Sequence, residues 1–465
     1  MNVINFNILN CKENYVINEY VFIFIELLIF IFMYILDMLF CRYSGYFTVF
    51  SLLIAVLLIY IHNANFLIKH FWLLYSFATY LTGVWVIENN SLYLVELGHY
   101  SERYGAFAPI CFATLLFFVS VQFCDTFFEY RLKASTIVCD KIYNNNFNTF
   151  YLLIGLLLSV ILFAKIFHTP FFKLRVDRIL YKEMVFSSFN PVSILLLIIP
   201  VAGFAREGAA KKISYMYICM MFLCMFWTGI KFGGYFLSLY IFTLALNARQ
   251  IIFSKMNVRR FLRKLLIIML FLLVIVFFYR ITMANDIPFG DYLFQRLAQQ
   301  GQLWWFTYGN FQDITSPYYF TDELQAVFGN ATDPNNNSNF GIYKIMWIAS
   351  AFPEIIRTTI ANGSRFTAST HASLYLYFGY AGVLIGIIIS AVLYSITINY
   401  ALLIFAKHYA IESMLICILI RRVLSLITMS DFHLLLSMQV WSIILLLALF
   451  AVMRKINQPV DFDEI

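Results

Sequence analysis

The chain has 465 residues, of which 62% are hydrophobic and 12% charged, with 51 Phe, 31 Tyr and a mean hydropathy of +0.79. Its 32 Lys+Arg and 25 Asp+Glu give a formal net charge of +7, and these charges are too few to cover a water-facing surface of this size. That excludes a disordered chain, a collagen, a secreted disulfide scaffold and an ordinary nucleic-acid binder, and it points to an all-α polytopic membrane protein. The unbroken apolar runs have the length of membrane-crossing helices and lack the alternation of a transmembrane barrel.

In chain order, Lys12, Glu13 and Glu19 precede the apolar run 21–39, and no small-x-small cleavage site follows. That run therefore reads as an uncleaved signal anchor. Hydropathy at about 20 residues per span then predicts helices over 46–61, 67–87, 105–128, 148–167, 192–205, 213–230, 234–253, 265–283, 373–404, 410–428 and 434–453. The total is about twelve spans. Pro191 precedes and Pro200 interrupts the short stretch 192–205, which is either kinked or re-entrant.

Cations in the short loops set the orientation. With the N-terminus inside, Lys69, Arg131, Lys133, the cluster Arg249–Lys264, Lys407, Arg454 and Lys455 all fall on the cytoplasmic side, as do both termini. The polar stretch from Ala284 to Thr370 carries Pro288, Pro317, Pro334, Pro353 and an Asn-rich run at 335–339. It is far longer than a typical connection, so a large functional loop outside the cytoplasm is expected. The chain is thus expected in three parts: helices over 1–283, the loop over 284–371, and helices with a cytoplasmic tail over 372–465.

Three local texts could carry chemistry. In the first, Lys231 ends one helix and Gly233 and Gly234 open the next. An ammonium beside a free helix N-terminus suits a phosphate, although the same lysine could simply snorkel to the interface. The second runs from Asp291 to Trp305, with Arg280 ahead of it. Arg296 could grip phosphate oxygens bidentately or pair with Asp291. Trp304 and Trp305 could stack on sugar rings or join an interfacial aromatic belt. The third spans Gly363 to Gly382 and holds Arg365 and His371, the latter placed where the loop re-enters the membrane. A histidine there could serve as a base or be structural. Glu96, Glu102 and Glu354 are the alternative candidates for a base. Arg421 and Arg422, inside an apolar run, are costly in lipid and must point into the protein, pair with acids such as Asp431, or contact a diphosphate.

The layout and these texts resemble Wzy-type O-antigen polymerases of the bacterial inner membrane and, more loosely, the O-antigen ligases. Lys231-Phe232-Gly233-Gly234 is similar to their Arg-Gly turn at an outer helix end, and Arg296 to Trp305 to their Arg-rich loop start. Ser369-Thr370-His371 followed by Phe378-Gly379-Tyr380-Ala381-Gly382 is similar to the ligases' histidine element before a Gly-x-x-Gly helix.

The resemblance implies a GT-C-like, inverting, metal-independent glycosyltransferase without a cofactor. Its partners would be undecaprenyl-diphosphate-linked oligosaccharide, membrane lipid and a chain-length regulator protein, with no nucleic acid. Lys231, Arg280, Arg296 and Arg365 would hold the diphosphate, His371 and Arg296 would serve catalysis, and Trp304 and Trp305 would bind glycan. An O-antigen ligase and a lipid-linked oligosaccharide flippase or other transporter stand as the alternatives.

Overall fold

The computed structural model describes residues 21–29, 31–37, 39, 46–137, 145–174, 181, 184–186, 191–205, 207–230, 232–253, 256–283, 289–309, 315–321, 324, 349–354, 356, 370–430 and 432–456. Residues 21–29 and 31–37 are helical. After them come α1 (Tyr46–His62), α2 (Ala64–Lys69), α3 (Phe71–Asn89), α4 (Phe107–Ile137), α5 (Asn145–Ile166), α6 (Phe171–Leu174), α7 (Val192–Phe204) and α8 (Gly208–Trp227). The series continues with α9 (Phe232–Ile252), α10 (Val258–Met283), α11 (Phe289–Gly309), α12 (Thr370–Ala406), α13 (Ala410–Met429), α14 (Phe432–Leu435) and α15 (Met438–Ile456). Between α3 and α4, the two-residue strands β1 (Tyr93–Leu94) and β2 (His99–Tyr100) pair antiparallel.

Among the described residues, five stretches are long and apolar enough to cross a membrane: Phe107–Glu129, Asn148–Leu174, Gly208–Trp227, Gly233–Ile252 and Thr370–Ala406. Their outward residues, such as Leu157, Ile161, Leu223 and Ile389, are exposed and apolar. Water would penalise such a surface and lipid does not. The chain is an all-α membrane protein.

Contacts divide it into two units, each assembled from separated stretches of chain. The first holds Met1–Ile137, Gln250–Asn399 and Ser425–Ser430; the second holds Val138–Arg249, Tyr400–Leu424 and Asp431–Ile465.

In the second unit α5, α7 and α8 pack together. The Tyr217 hydroxyl donates to Leu195 O, Ser214 donates to Ala202 O at 2.7 Å, and Cys224 to Ser159 O at 3.3 Å. Gly203 of α7 lies against the backbone of α9 at Ala245 and Leu246, so any side chain there would collide. Arg249 caps α12 by donating to Ala406 O at 3.0 Å. Arg454 of α15 pairs with Glu412 at 3.1 Å and lies over Tyr409. Arg422 donates to Gln439 of α15 at 2.8 Å, which satisfies one guanidinium of the costly pair within the protein.

In the first unit the closest helix pair is α3 with α11. Their crossing is glycine on glycine. A Cβ on Gly83 would sit 2.3 Å from Leu297 O, and one on Gly301 would sit 2.3 Å from Val84 N. Small residues at a crossing let two backbones approach, which is how membrane helices gain packing without a hydrophobic drive. The beginning of the expected long loop is therefore a 21-residue helix docked into the helical body. Its hydropathy is too low to read as a span, and only the partner glycines reveal where it goes.

The predicted span over 373–404 also differs from what forms. Gly379 adopts φ 63°, ψ −153° inside α12, a region essentially closed to residues with a Cβ. Leu374 packs against Gly386, twelve positions later. An unbroken helix would separate those two by about 18 Å. The chain therefore reverses at Gly379, so that a half-helix, Thr370–Phe378, lies back against the long arm that follows. Gly382 and Gly386 supply the room, because a Cβ on either would strike Phe378 or Leu374.

Candidate functional site

The half-helix is buried along almost its whole length, from Thr370 to Tyr377. Thr370 donates its hydroxyl to Leu426 O near the end of α13, and Tyr80 of α3 donates to Thr428 O at 3.1 Å. At its other end Ser316 N–H donates to Leu376 O at 2.9 Å, which satisfies a carbonyl left open by the reversal. The reversal is ringed by aromatics. Tyr308 stacks on Tyr375 at 4.2 Å, Tyr375 meets Tyr380 edge-on at 4.9 Å, and Phe320 touches Tyr377 and Phe378. Tyr380 and Tyr318 remain exposed.

Beside this lies a small folded cap built on the end of α3. The Glu88 carboxylate accepts N–H bonds from Gly105 and Ala106, both at 3.0 Å, and this ties together the two ends of the segment that carries the β1–β2 hairpin. Residues 349–354 dock onto the hairpin: Ala351 N donates to Leu97 O at 2.7 Å, and Phe352 and Ala351 press on Gly98, whose φ is +77°. Trp305 of α11 donates to Glu102 O at 3.1 Å and stacks on Tyr104 at 4.8 Å. Two separated parts of the polar segment thus converge on a hairpin more than 180 positions earlier in the sequence.

Between β1 and α11 runs a shallow cleft lined by Leu92–Val95 and by Gln295, Ala298, Gln299 and Gln302. The three glutamines fall at helical spacing on one face of α11. Gln302 donates to the Glu96 carboxylate. Arg296 is exposed and donates to Gln299 Oε1 at 3.0 Å, with its guanidinium 5.3 Å from the Tyr292 ring centroid. The pair with Asp291 does not form, because residues five apart lie about 140° apart around a helix. The cleft offers amide donors and acceptors from one helix, with a carboxylate bound to Gln302 and a guanidinium bound to Gln299.

The other sequence candidates fall as follows. Trp304 and Trp305 are fully enclosed, so neither indole presents a ring face to a sugar. Trp304 lies 5.3 Å from His371, whose ring also stacks on Phe77 at 5.5 Å and meets Phe117 at 6.0 Å. His371 is enclosed as well, not placed at a water boundary. The structure therefore brings Trp304 and His371 together, with Arg296 two turns before Trp304 on the same helix. Lys231 and Arg365 lie outside the described residues, as does the side chain of Arg280. Gly233 and Gly234 do open α9, and that turn belongs to the second unit.

The sequence reading missed a second polar centre. Lys69, expected as a free loop cation, is the last residue of α2 and is buried. Its ammonium sits 2.8 Å from Asp125 Oδ2 of α4 and donates to Asn399 Oδ1 of α12 at 2.7 Å. His70 Nε2 lies 2.7 Å from the same carboxylate oxygen, and its Nδ1 lies 2.8 Å from the Tyr394 hydroxyl. Asn399 Nδ2 donates to Asp125 Oδ1 at 2.9 Å. The one signal available was Asp125 itself, a carboxylate inside an apolar run, which is costly unless paired.

A family model described as "Family of unknown function (DUF6418)" matches residues 335–445. That stretch takes in the half-helix, the Gly379 reversal, Tyr394 and Asn399. No curated protein and no solved structure matches the chain.

Proposed function

We propose that the protein is a membrane glycosyltransferase that joins glycans carried on a polyprenyl diphosphate, of the Wzy-type O-antigen polymerase kind. The observation that carries this reading is the cap over the first unit. There the polar segment folds onto the β1–β2 hairpin, and Gln295, Gln299 and Gln302 line one cleft, with Glu96 bound to Gln302 and Arg296 to Gln299; Tyr318 and Tyr380 are exposed elsewhere in the same unit. Amides and a carboxylate suit sugar hydroxyls, exposed aromatic faces suit sugar rings, and a guanidinium suits a diphosphate.

In this reading an acceptor hydroxyl gives its proton to the Glu96 carboxylate as its oxygen attacks the donor's anomeric carbon. The bond from that carbon to the diphosphate breaks, and Arg296 stabilises the departing charge, assisted by Lys231, Arg280 and Arg365. Glu96 takes the role that the sequence suggested for His371, because its carboxylate is bound to Gln302 of the cleft whereas the imidazole is enclosed. The proposal keeps about twelve spans in a GT-C-like arrangement, a cap facing the periplasm, both termini in the cytoplasm and residence in a bacterial inner membrane.

Deleting the gene is expected to leave lipopolysaccharide with a single repeat unit on its core, read on a gel. Core without any repeat unit would place the protein as a ligase or flippase instead, and an unchanged glycan would remove the glycan role.

A further inference from the structure

The centre at Lys69, His70, Asp125, Tyr394 and Asn399 takes no part in the proposed glycosyl transfer. Four features set it apart from an ordinary ion pair. First, it is assembled from three separate places in the chain: the α2–α3 junction, α4 and α12. Second, Asp125 receives three donors, Lys69 and His70 on Oδ2 and Asn399 on Oδ1. The carboxylate is thereby held as an anion whatever the state of the imidazole.

Third, both nitrogens of His70 have partners suited to either protonation state. With the ring neutral, Nε2–H donates to Asp125 and the Tyr394 hydroxyl donates to Nδ1. With the ring cationic, Nε2–H still donates to Asp125, and Nδ1–H donates to the Tyr394 oxygen. Only the hydroxyl rotor has to turn. Fourth, the imidazole is fully enclosed, while the side chains of Lys69 and Asp125 are 10% and 11% exposed. The centre therefore reaches its surroundings along one edge.

We propose that this centre is a proton-binding site within the membrane-spanning body, with His70 as the group that is charged and discharged. The charged and titratable groups facing His70 are Asp125 from α4, Tyr394 from α12 and Lys69 from its own segment. With the ring neutral, Lys69 and Asp125 cancel. One proton taken from water at the Lys69–Asp125 edge forms one N–H bond on the imidazole and leaves the centre with a net charge of +1. Release to water reverses the step. An ionisable residue inside a membrane body marks a functional site more often than a structural one, because each unpaired charge is so costly there. A structural pin would need only the Lys69–Asp125 pair. The histidine, relayed to a tyrosine on its far side, adds a reversible proton position.

Phe117 touches both Tyr394, the partner of His70, and His371, at 6.2 Å and 6.0 Å by ring centroids. The proposal does not rest on the glycosyl-transfer reading.

The test is nitrogen NMR of the full-length protein in lipid nanodiscs, labelled at its 7 histidines, across about pH 5–8. The His70 signals are assigned from those lost in His70→Gln. Should that variant not fold, Tyr394→Phe assigns them by perturbing the Nδ1 partner. The expected result is one imidazole passing from imidazolium to neutral shifts over that window as a single-proton step. In Asp125→Asn the same ring is expected to stay neutral throughout. A wild-type His70 that keeps one form across the window, neutral or cationic, would overturn the proposal and leave a static structural network. Titration unchanged in a folded Asp125→Asn variant would overturn it equally.

Discussion

Two histidines lie enclosed in the first unit, and their surroundings differ in kind. His371 is walled by Phe77, Phe117 and Trp304, with ring centroids 5.3–6.0 Å away. His70 sits between a carboxylate at 2.7 Å and a hydroxyl at 2.8 Å, beside a lysine bound to the same carboxylate. Around His371 the imidazole acts as one more flat ring in an aromatic packing layer. Around His70 it is the link between two hydrogen-bond partners, one on each ring nitrogen. The residue type and degree of burial are shared. The chemistry follows from what each helix brings alongside: α4 presents Phe117 to one and Asp125 to the other, two turns apart on the same helix.

The most severe way to break this comparison is Asp125→Ala. It strands the Lys69 ammonium without its counter-ion, and breaking a buried pair by removing one partner costs about 3–5 kcal/mol. Thermal unfolding in detergent is expected to show the loss, and a wild-type melting curve would mean that the centre is hydrated and loosely held. Arg296→Ala should leave that melting curve nearly intact, because the guanidinium is exposed; under the proposed glycosyl transfer it should lower glycan polymerisation by about a hundred- to a thousandfold. Arg296→Lys should recover only part of that activity, since an ammonium cannot grip two oxygens. A folded Arg296→Ala variant that polymerises normally would remove Arg296 from the site.

Gly379→Ala addresses the feature that places His371 where it is. The φ of 63° with ψ of −153° is expected to cost about 1–3 kcal/mol once a Cβ is present. Accelerated hydrogen exchange should be confined to the half-helix and its neighbours Tyr308 and Phe320. The smallest effect is expected for His371→Phe. A ring replaces a ring within a packed layer, so the change should stay under about 1.5 kcal/mol, read again by thermal unfolding. If stability holds but polymerisation falls, then His371 has a chemical role beyond packing, and the contrast with His70 narrows.

Much of the architecture was legible before any contact was known. The apolar runs predicted α1, α4, α5, α7, α8, α9, α13 and α15 to within a few residues, except that α4 runs nine residues further, because a run of such length has no other stable state than a helix. The glycine element Phe378-Gly379-Tyr380-Ala381-Gly382 was also visible as text. Its meaning was not. A hydropathy window averages across Gly379 and reports one long span, whereas the reversal depends on Leu374 finding room at Gly386.

The same limit applies to α11 and to the polar centres. Arg296, Trp304 and Trp305 were singled out by residue type. Which of them faces outward depends on the Gly83–Gly301 crossing, and nothing in α11 alone discloses that partner. Lys69 read as a loop cation because its carboxylate lies 56 positions away and its amide partner 330 positions away. By itself the sequence determined that the chain is helical, that it belongs in a membrane, and which charged and aromatic residues are scarce enough to matter. Those properties follow from transfer of local segments out of water. Tertiary structure alone decided which glycines let helices meet, which histidine is walled by rings and which is set between a carboxylate and a hydroxyl. Those are pairings between distant parts of the chain, and composition carries no record of them.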